Sequence, residues 1–259
     1  SIKDSIVVAH IGGGAEVIPA LKGTLVVVGA FACMLAYTKL SNILSRDNLF
    51  YTVLFFFLGF FCLFGLVLFP MRDSLVLTTM ASAIDSVLGP NNSHWSYIVK
   101  YWMNSLFFVF SELWGGVIIA VLFWGFVNQI SSIKEAAKFY TLYSLGGHFG
   151  SIIAGLITVR VSSAHHLSYE FILLILTGIV VVSGLVIAGL YYFVTNKVLV
   201  GSTLCDSSVA SKKSDKPKLS MFDSIKYIIT SPHLGWIALI LVGYCISVNL
   251  VEVTWKAII

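Results

Sequence analysis

A chain of 259 residues that is 58% hydrophobic and only 11% charged, with mean hydropathy +0.94, lacks the surface of a water-soluble domain. About a quarter of the residues in such a domain are charged, so lipid must be the solvent over most of this one, and 14% aromatic content with 19 Phe suits spans and interfacial belts. The net charge of +4 is small and its basic residues fall in loops, which excludes a nucleic-acid partner and leaves the lipid bilayer as the expected surroundings.

In chain order, Ser1–Ile11 reads as the tail of an earlier span, and Gly12-Gly13-Gly14 as a helix break after it. Apolar runs of about 18–25 residues, each enough for one crossing at ~1.5 Å rise per residue, follow near Leu21–Leu40, Leu49–Phe69, Tyr101–Phe126, Tyr143–Val161 and Glu170–Val194. Asn196–Ser220 is rich in Ser and Lys and cannot fold on its own. Ser220–Asp223 resembles a capping box that opens a short amphipathic helix to about Thr230, with Pro232 as its stop. A last run lies near Leu234–Val253. The expected organisation is a transmembrane bundle over residues 1–195, a cytoplasmic linker with a short helix over 196–233, and the first span of a second bundle over 234–259. Six spans, a charged linker and a new span is the layout of transporters built from two halves. Position 1 is Ser, and the chain stops at Ile259 directly after an apolar run, so part of a longer polypeptide is expected.

Orientation follows from the short loops. Lys39, Arg46, Lys134, Lys138, Lys197, Lys212, Lys213, Lys216, Lys218 and Lys226 share one side, and only Lys22, Arg72, Lys100 and Arg160 the other. The richer side is cytoplasmic by the positive-inside rule, which places Pro70–Lys100 outside. Ser132-Ile133-Lys134-Glu135 matches a second capping box and predicts a short helix through Tyr140. Gly146, Gly150 and Ala154 repeat every four residues, a face suited to close helix approach.

The informative residues are the ionisable ones inside spans. Glu112 interrupts the apolar run Leu106–Phe126, where a charge costs roughly 2.5–3.5 kcal/mol to insert. Ser105, Glu112 and Gly116 share a helical face with Asn104 beside it, and Trp102 and Trp114 lie near. Glu112→Gln is expected to insert and fold normally, because it lowers the desolvation cost. Asn249, Glu252 and Lys256 stand at i, i+3 and i+7 on the last span, and Glu252 with Lys256 can form an i,i+4 pair. Lys3, Lys22, Arg72 and Lys256 add the cations that an anionic, phosphate-bearing solute requires. These candidates are substrate-binding; no catalytic residue, cofactor or metal is expected. Cys33, Cys62, Cys205 and Cys245 lack metal-ligand spacing, and His165-His166 lacks carboxylate or thiol company. The triple Gly is not a Walker A motif, which argues against an ATP-hydrolysing pump on this chain. A non-transporting membrane protein, in which the charges merely pair, is the contrasting reading.

Five segments carry a resemblance: GAEVIPALK (Gly14–Lys22), YTKLSNILSRDNLFYTV (Tyr37–Val53), FPMRD (Phe69–Asp73), SELWGGVIIAVLFWGFVNQI (Ser111–Ile130) and NLVEVTWK (Asn249–Lys256). Together they resemble the ATP/ADP translocases of plastids and obligate intracellular bacteria. The resemblance implies an all-α integral membrane protein with a major-facilitator-like helix bundle, present as an amino-terminal six-span half plus one span. It also implies ATP/ADP exchange, with phosphate, by alternating access, in the inner membrane of an intracellular bacterium or the plastid inner envelope. Lys22, Glu112 and Glu252 are the implied functional charges, with Arg72 and Lys256 beside them. For a nucleotide, aromatics such as Trp102 are expected to stack on the base. Three departures from the family pattern point to an alternative, a proton-coupled importer of several nucleoside triphosphates. They are LGGHFGS in the fifth span, Lys100 near a common Arg, and Ser74-Leu75-Val76-Leu77 after FPMRD.

Overall fold

The computed structural model describes residues 2–10, 16–89, 92–130, 133–163, 167–198 and 230–258, and no strand occurs among them. The chain forms two units, Ser1–Ser202 and Thr203–Ile259. In the first, α1 (Ile2–Ser5, running into a π-helical stretch Ile6–His10) precedes α2 (Val17–Ile43) and α3 (Arg46–Leu68). A pair of short helices, α4 (Thr78–Leu88) and α5 (Ser93–Lys100), leads to α6 (Trp102–Asn128), α7 (Ile133–Ser162) and α8 (Tyr169–Val198). The second unit holds α9 (Pro232–Ile258).

Among the described residues, six helices are long and apolar enough to cross a membrane: α2, α3, α6, α8, and the Phe139–Ser162 and Pro232–Glu252 parts of α7 and α9. The protein is all-helical and multi-pass, as the scarcity of charge demands. Large side chains such as Leu156 and Ile240 lie 63% and 72% exposed, which water would penalise and acyl chains do not. Local sequence sets the helix starts. Ser45 and Ser168 each accept a hydrogen bond from the backbone N–H three residues on, at 3.4 and 3.3 Å. Gly89, at φ 73°, ends α4 in the left-handed region that only glycine enters without strain.

One element differs from the sequence reading. The short helix expected to end at Tyr140 and the fifth span are one continuous helix, because neither Pro nor Gly interrupts Ile133–Leu145. The capping residues Ser132 and Ser220–Asp223, and the linker between 199 and 229, lie outside the described residues.

Lipid is as apolar as leucine, so the helices hold together by packing and polar contacts rather than by escape from water. Helices α3 and α8 run antiparallel, tied at one end by Tyr191 donating to Asp47 at 2.7 Å and at the other by Arg72 with Glu170 at 2.7 Å. Between these ties the helices close in on small residues. A Cβ at Gly65 would sit 3.1 Å from Thr177 Cγ2, and one at Gly184 would overlap the Leu58 side chain. A Cβ added at Gly146 or Gly150, by contrast, would meet nothing within 4 Å among the described residues. Gly184→Val is expected to destabilise the protein by about 1–3 kcal/mol through overpacking. Leu58→Ala in the same chain should recover part of that, leaving the double variant about 0.5–3 kcal/mol better than the sum of the singles. Denaturant unfolding in micelles checks this, and strict additivity would contradict the contact.

Aromatic rings join α3 to α6. Phe60 stacks on Phe110 at 3.8 Å and Phe64 on Phe107 at 4.1 Å, while Phe57 and Phe61 meet Trp114 edge-on at 5.8 and 5.5 Å. Each such pair adds about 0.5–1.5 kcal/mol beyond simple burial. Their more important effect is geometric, because they fix the rotation of α6.

Candidate functional site

With Phe107, Phe110 and Trp114 turned toward α3, residue 112 points the other way, about 200° round the helix from 110. That side of α6 packs against α1 and α2. There Glu112 meets two ammonium groups. Lys3 of α1 pairs with its Oε2, and Lys22 of α2 lies 3.4 Å from its Oε1. The side chains of Lys3, Lys22 and Glu112 are 18%, 10% and 24% exposed. Lys3 Nζ also lies 5.2 Å over the ring of Phe108, which is fully buried.

The sequence builds this junction in identifiable ways. Val7, Val17, Ile18, Leu21, Ile98 and Phe108 form a separate small core beside the charges. Gly29, seven residues after Lys22, lets α2 close on α6, where an added Cβ would sit 3.1 Å from both Val109 and Leu113. Lys22 lies in a π-helical stretch, Leu21–Val26, and another, Gly115–Phe123, begins three residues after Glu112. Such wide turns recur at functional sites in helical proteins.

Two ammonium groups thus meet one carboxylate in a low-dielectric setting, with the buried Asp4 next to Lys3 in the chain, and such ammonium groups are where an anion's phosphate oxygens would gain most. Glu112 also supports both lysines. The expectation that Glu112→Gln folds normally is therefore revised, because the neutral variant leaves two facing ammonium groups without their shared counter-charge.

The other candidates of the first unit are placed elsewhere. Arg72 binds Glu170 at 2.7 Å, donates to the Phe69 carbonyl at 3.2 Å, and lies 4.7 Å over the Phe69 ring. Trp102 Nε1 donates to the Leu75 carbonyl at 3.0 Å, about 15 Å of helix rise from Glu112. Ser105 shares the Glu112 face, but its hydroxyl donates to the Ile98 carbonyl at 3.0 Å. In the second unit, Asn249 Nδ2 donates to the Cys245 carbonyl at 2.8 Å, Glu252 is half-buried, and Lys256 lies on α9. The Lys256 side chain, and with it the expected Glu252–Lys256 pair, lies outside the described residues. Sequence reasoning missed Asp4, a 7%-exposed acid next to Lys3, and Glu170, the partner of Arg72. A Lys-Asp step inside an apolar stretch was the available signal for the first.

The family model described as "TLC ATP/ADP transporter" matches residues 1–259. The chain is 38% identical over 263 residues to ADP,ATP carrier protein 1 of Chlamydia pneumoniae, covering 98% of this chain and 51% of that protein. It is 38% identical over 262 residues to the chloroplastic ADP,ATP carrier protein 1 of Arabidopsis thaliana, covering 98% and 41%. With ADP,ATP carrier protein 1 of Rickettsia conorii it shares 36% over 263 residues, covering 99% and 52%. The chain thus spans about half the length of the curated relatives it matches. No solved structure matches.

Proposed function

This chain belongs to the TLC ATP/ADP transporter family, and from that premise we propose that it carries nucleotides, exchanging ATP for ADP and phosphate across a membrane by alternating access. The observation that carries the reading is the junction of Lys3, Lys22 and Glu112. Lys22 and Lys3 hold phosphate oxygens by charge-assisted bonds, and Glu112 keeps both ammonium groups in place between substrates. Charge released from Glu112 when a phosphate arrives couples binding to a rearrangement of α1 and α2 against α6. Asn249, Glu252 and Lys256 on α9 are further substrate-binding candidates, the fold is major-facilitator-like, and the nucleotide is moved rather than hydrolysed. The setting is the inner membrane of an intracellular bacterium or a plastid inner envelope. Names of the relatives from Chlamydia, Rickettsia and Arabidopsis support this reading.

Proteoliposomes holding the protein and loaded with ADP are expected to take up labelled ATP several-fold faster than empty ones. Equal rates would exclude exchange. The alternative, proton-coupled import of several nucleoside triphosphates, makes Glu112 or Glu252 the proton carrier. The negative charge of Glu112 is met by two lysines, which favours exchange. Uptake that an uncoupler leaves unchanged excludes the alternative.

A further inference from the structure

Between the membrane-crossing helices α3 and α6 the chain makes a hairpin of two short helices, α4 and α5, packed against each other. Two hydrogen bonds tie it to the start of α6. Leu77 N–H donates to the Lys100 carbonyl at 3.1 Å, and Trp102 Nε1 to the Leu75 carbonyl at 3.0 Å. Held at both of its ends to span termini, the hairpin sits at the level where spans leave the hydrocarbon. Helix α4 is amphipathic, and its faces are reversed from those of a helix on a soluble domain. Thr78, Ser82 and Asp85 line a polar cavity of about 250 Å³ shared with α5. About 120° round the helix, Leu77, Met80, Val87 and Leu88 point away from the protein, 37%, 59%, 81% and 43% exposed. A lone exposed apolar side chain needs no account, but four on one arc of so short a helix do.

Three observations name lipid as the cover of that arc. Leu66 and Val67 at the end of α3, and Met71 just after it, are exposed as well, so apolar exposure runs from the span into the hairpin. Trp95, Tyr97, Tyr101 and Trp102 gather at the same level as half-buried rings, the residue types that mark the borders of a bilayer. Charge gives no competing account. Between Pro70 and Trp102, Arg72 and Lys100 are matched by Asp73 and Asp85, which leaves no surplus to draw a charged protein partner or to require anionic lipid.

We propose that the apolar arc of α4 docks into the border of the bilayer's acyl chains, which makes the hairpin an interfacial anchor held by burial rather than by charge. Its other side carries that hold inward. Ile98 of α5 packs in the small core with Val17, Ile18 and Leu21, and Leu21 immediately precedes Lys22. The anchor stands without the exchange reading, because no residue in it is asked to touch a nucleotide.

The test uses the whole chain in phosphatidylcholine nanodiscs, with an aryl diazirine placed at either the glycerol end or the methyl end of the lipid's acyl chain. Carbene insertion is mapped by mass spectrometry, so native side chains report. The shallow probe is expected to mark Met80, Val87 or Leu88 at least about fivefold more than the deep probe does. Phe56, half-way along α3 and 59% exposed, supplies the reference with the reverse order. Adding phosphatidylglycerol should leave the α4 yield within about twofold, because charge does not hold it. Val87→Asp should cut α4 adducts several-fold and leave those of Phe56 unchanged, and so exposed a side chain is not needed for folding. A water-soluble aryl diazirine that marks the α4 arc in place of the lipid probes overturns the anchor. So does an arc silent to every probe, which names a second copy or another segment as its cover, and so does equal marking by shallow and deep probes. An α4 yield that rises several-fold with phosphatidylglycerol, or one unmoved by Val87→Asp, also counts against it. None of these outcomes bears on the ADP-loading result, and failure of exchange leaves the anchor standing.

Discussion

Glu112→Gln is expected to lose stability and exchange together. Removing one partner from a buried ion pair costs about 3–5 kcal/mol, because the remaining charge stays desolvated and unmatched. With Glu112 24% exposed, about 2–4 kcal/mol is the appropriate figure here. Lys3 and Lys22 then face each other without a shared carboxylate, which also forces α1 and α2 away from α6. Adding Lys22→Gln to Glu112→Gln restores the original net charge at the junction and should recover part of the lost stability. Denaturant unfolding in micelles measures both variants. A Glu112→Gln protein as stable as the parent would show that the lysines do not depend on it.

Lys22→Gln acts in the opposite way. It leaves Lys3 and Glu112 as a neutral pair, so folding should stay within about 1 kcal/mol of the parent. The charge that attracts a phosphate is gone, however. A charge-assisted contact is worth about 1.5–3 kcal/mol, which converts to a loss of about 10- to 150-fold in nucleotide affinity. Lys22→Arg keeps the charge and should retain part of it. Exchange rates at matched protein density in proteoliposomes check the pair, and normal exchange with reduced stability would assign Lys22 a supporting role only.

The contrast between these two variants was not legible in the sequence. Span positions were, because runs of 18 or more apolar residues bounded by charge leave little choice in lipid. The helix through Tyr140 was misjudged because a capping signature marks where a helix can start and says nothing of whether the next segment breaks it. Glu112 stood out as a charge inside an apolar span, and Lys3 and Lys22 only as cations near the ends of the bundle. Their meeting depends on the rotation of α6, which is set by the stacking of Phe60 on Phe110 and Phe64 on Phe107, and on the close approach at Gly29. Those are long-range packing outcomes that spacing along one helix does not encode. The partner of Arg72 was missed for the same reason, since Glu170 is 98 positions away in the chain.

The central claim is that the Lys3–Lys22–Glu112 junction recognises phosphate on a nucleotide. Equilibrium binding of ATP and of adenosine to the parent protein and to Lys22→Gln, in phosphatidylcholine nanodiscs, tests it most directly. ATP should bind the parent at least about tenfold more tightly than adenosine does, as expected for a site that reads charge, and Lys22→Gln should bring ATP down toward the adenosine value while adenosine binding stays unchanged. Equal affinity of parent and Lys22→Gln for ATP would contradict the account.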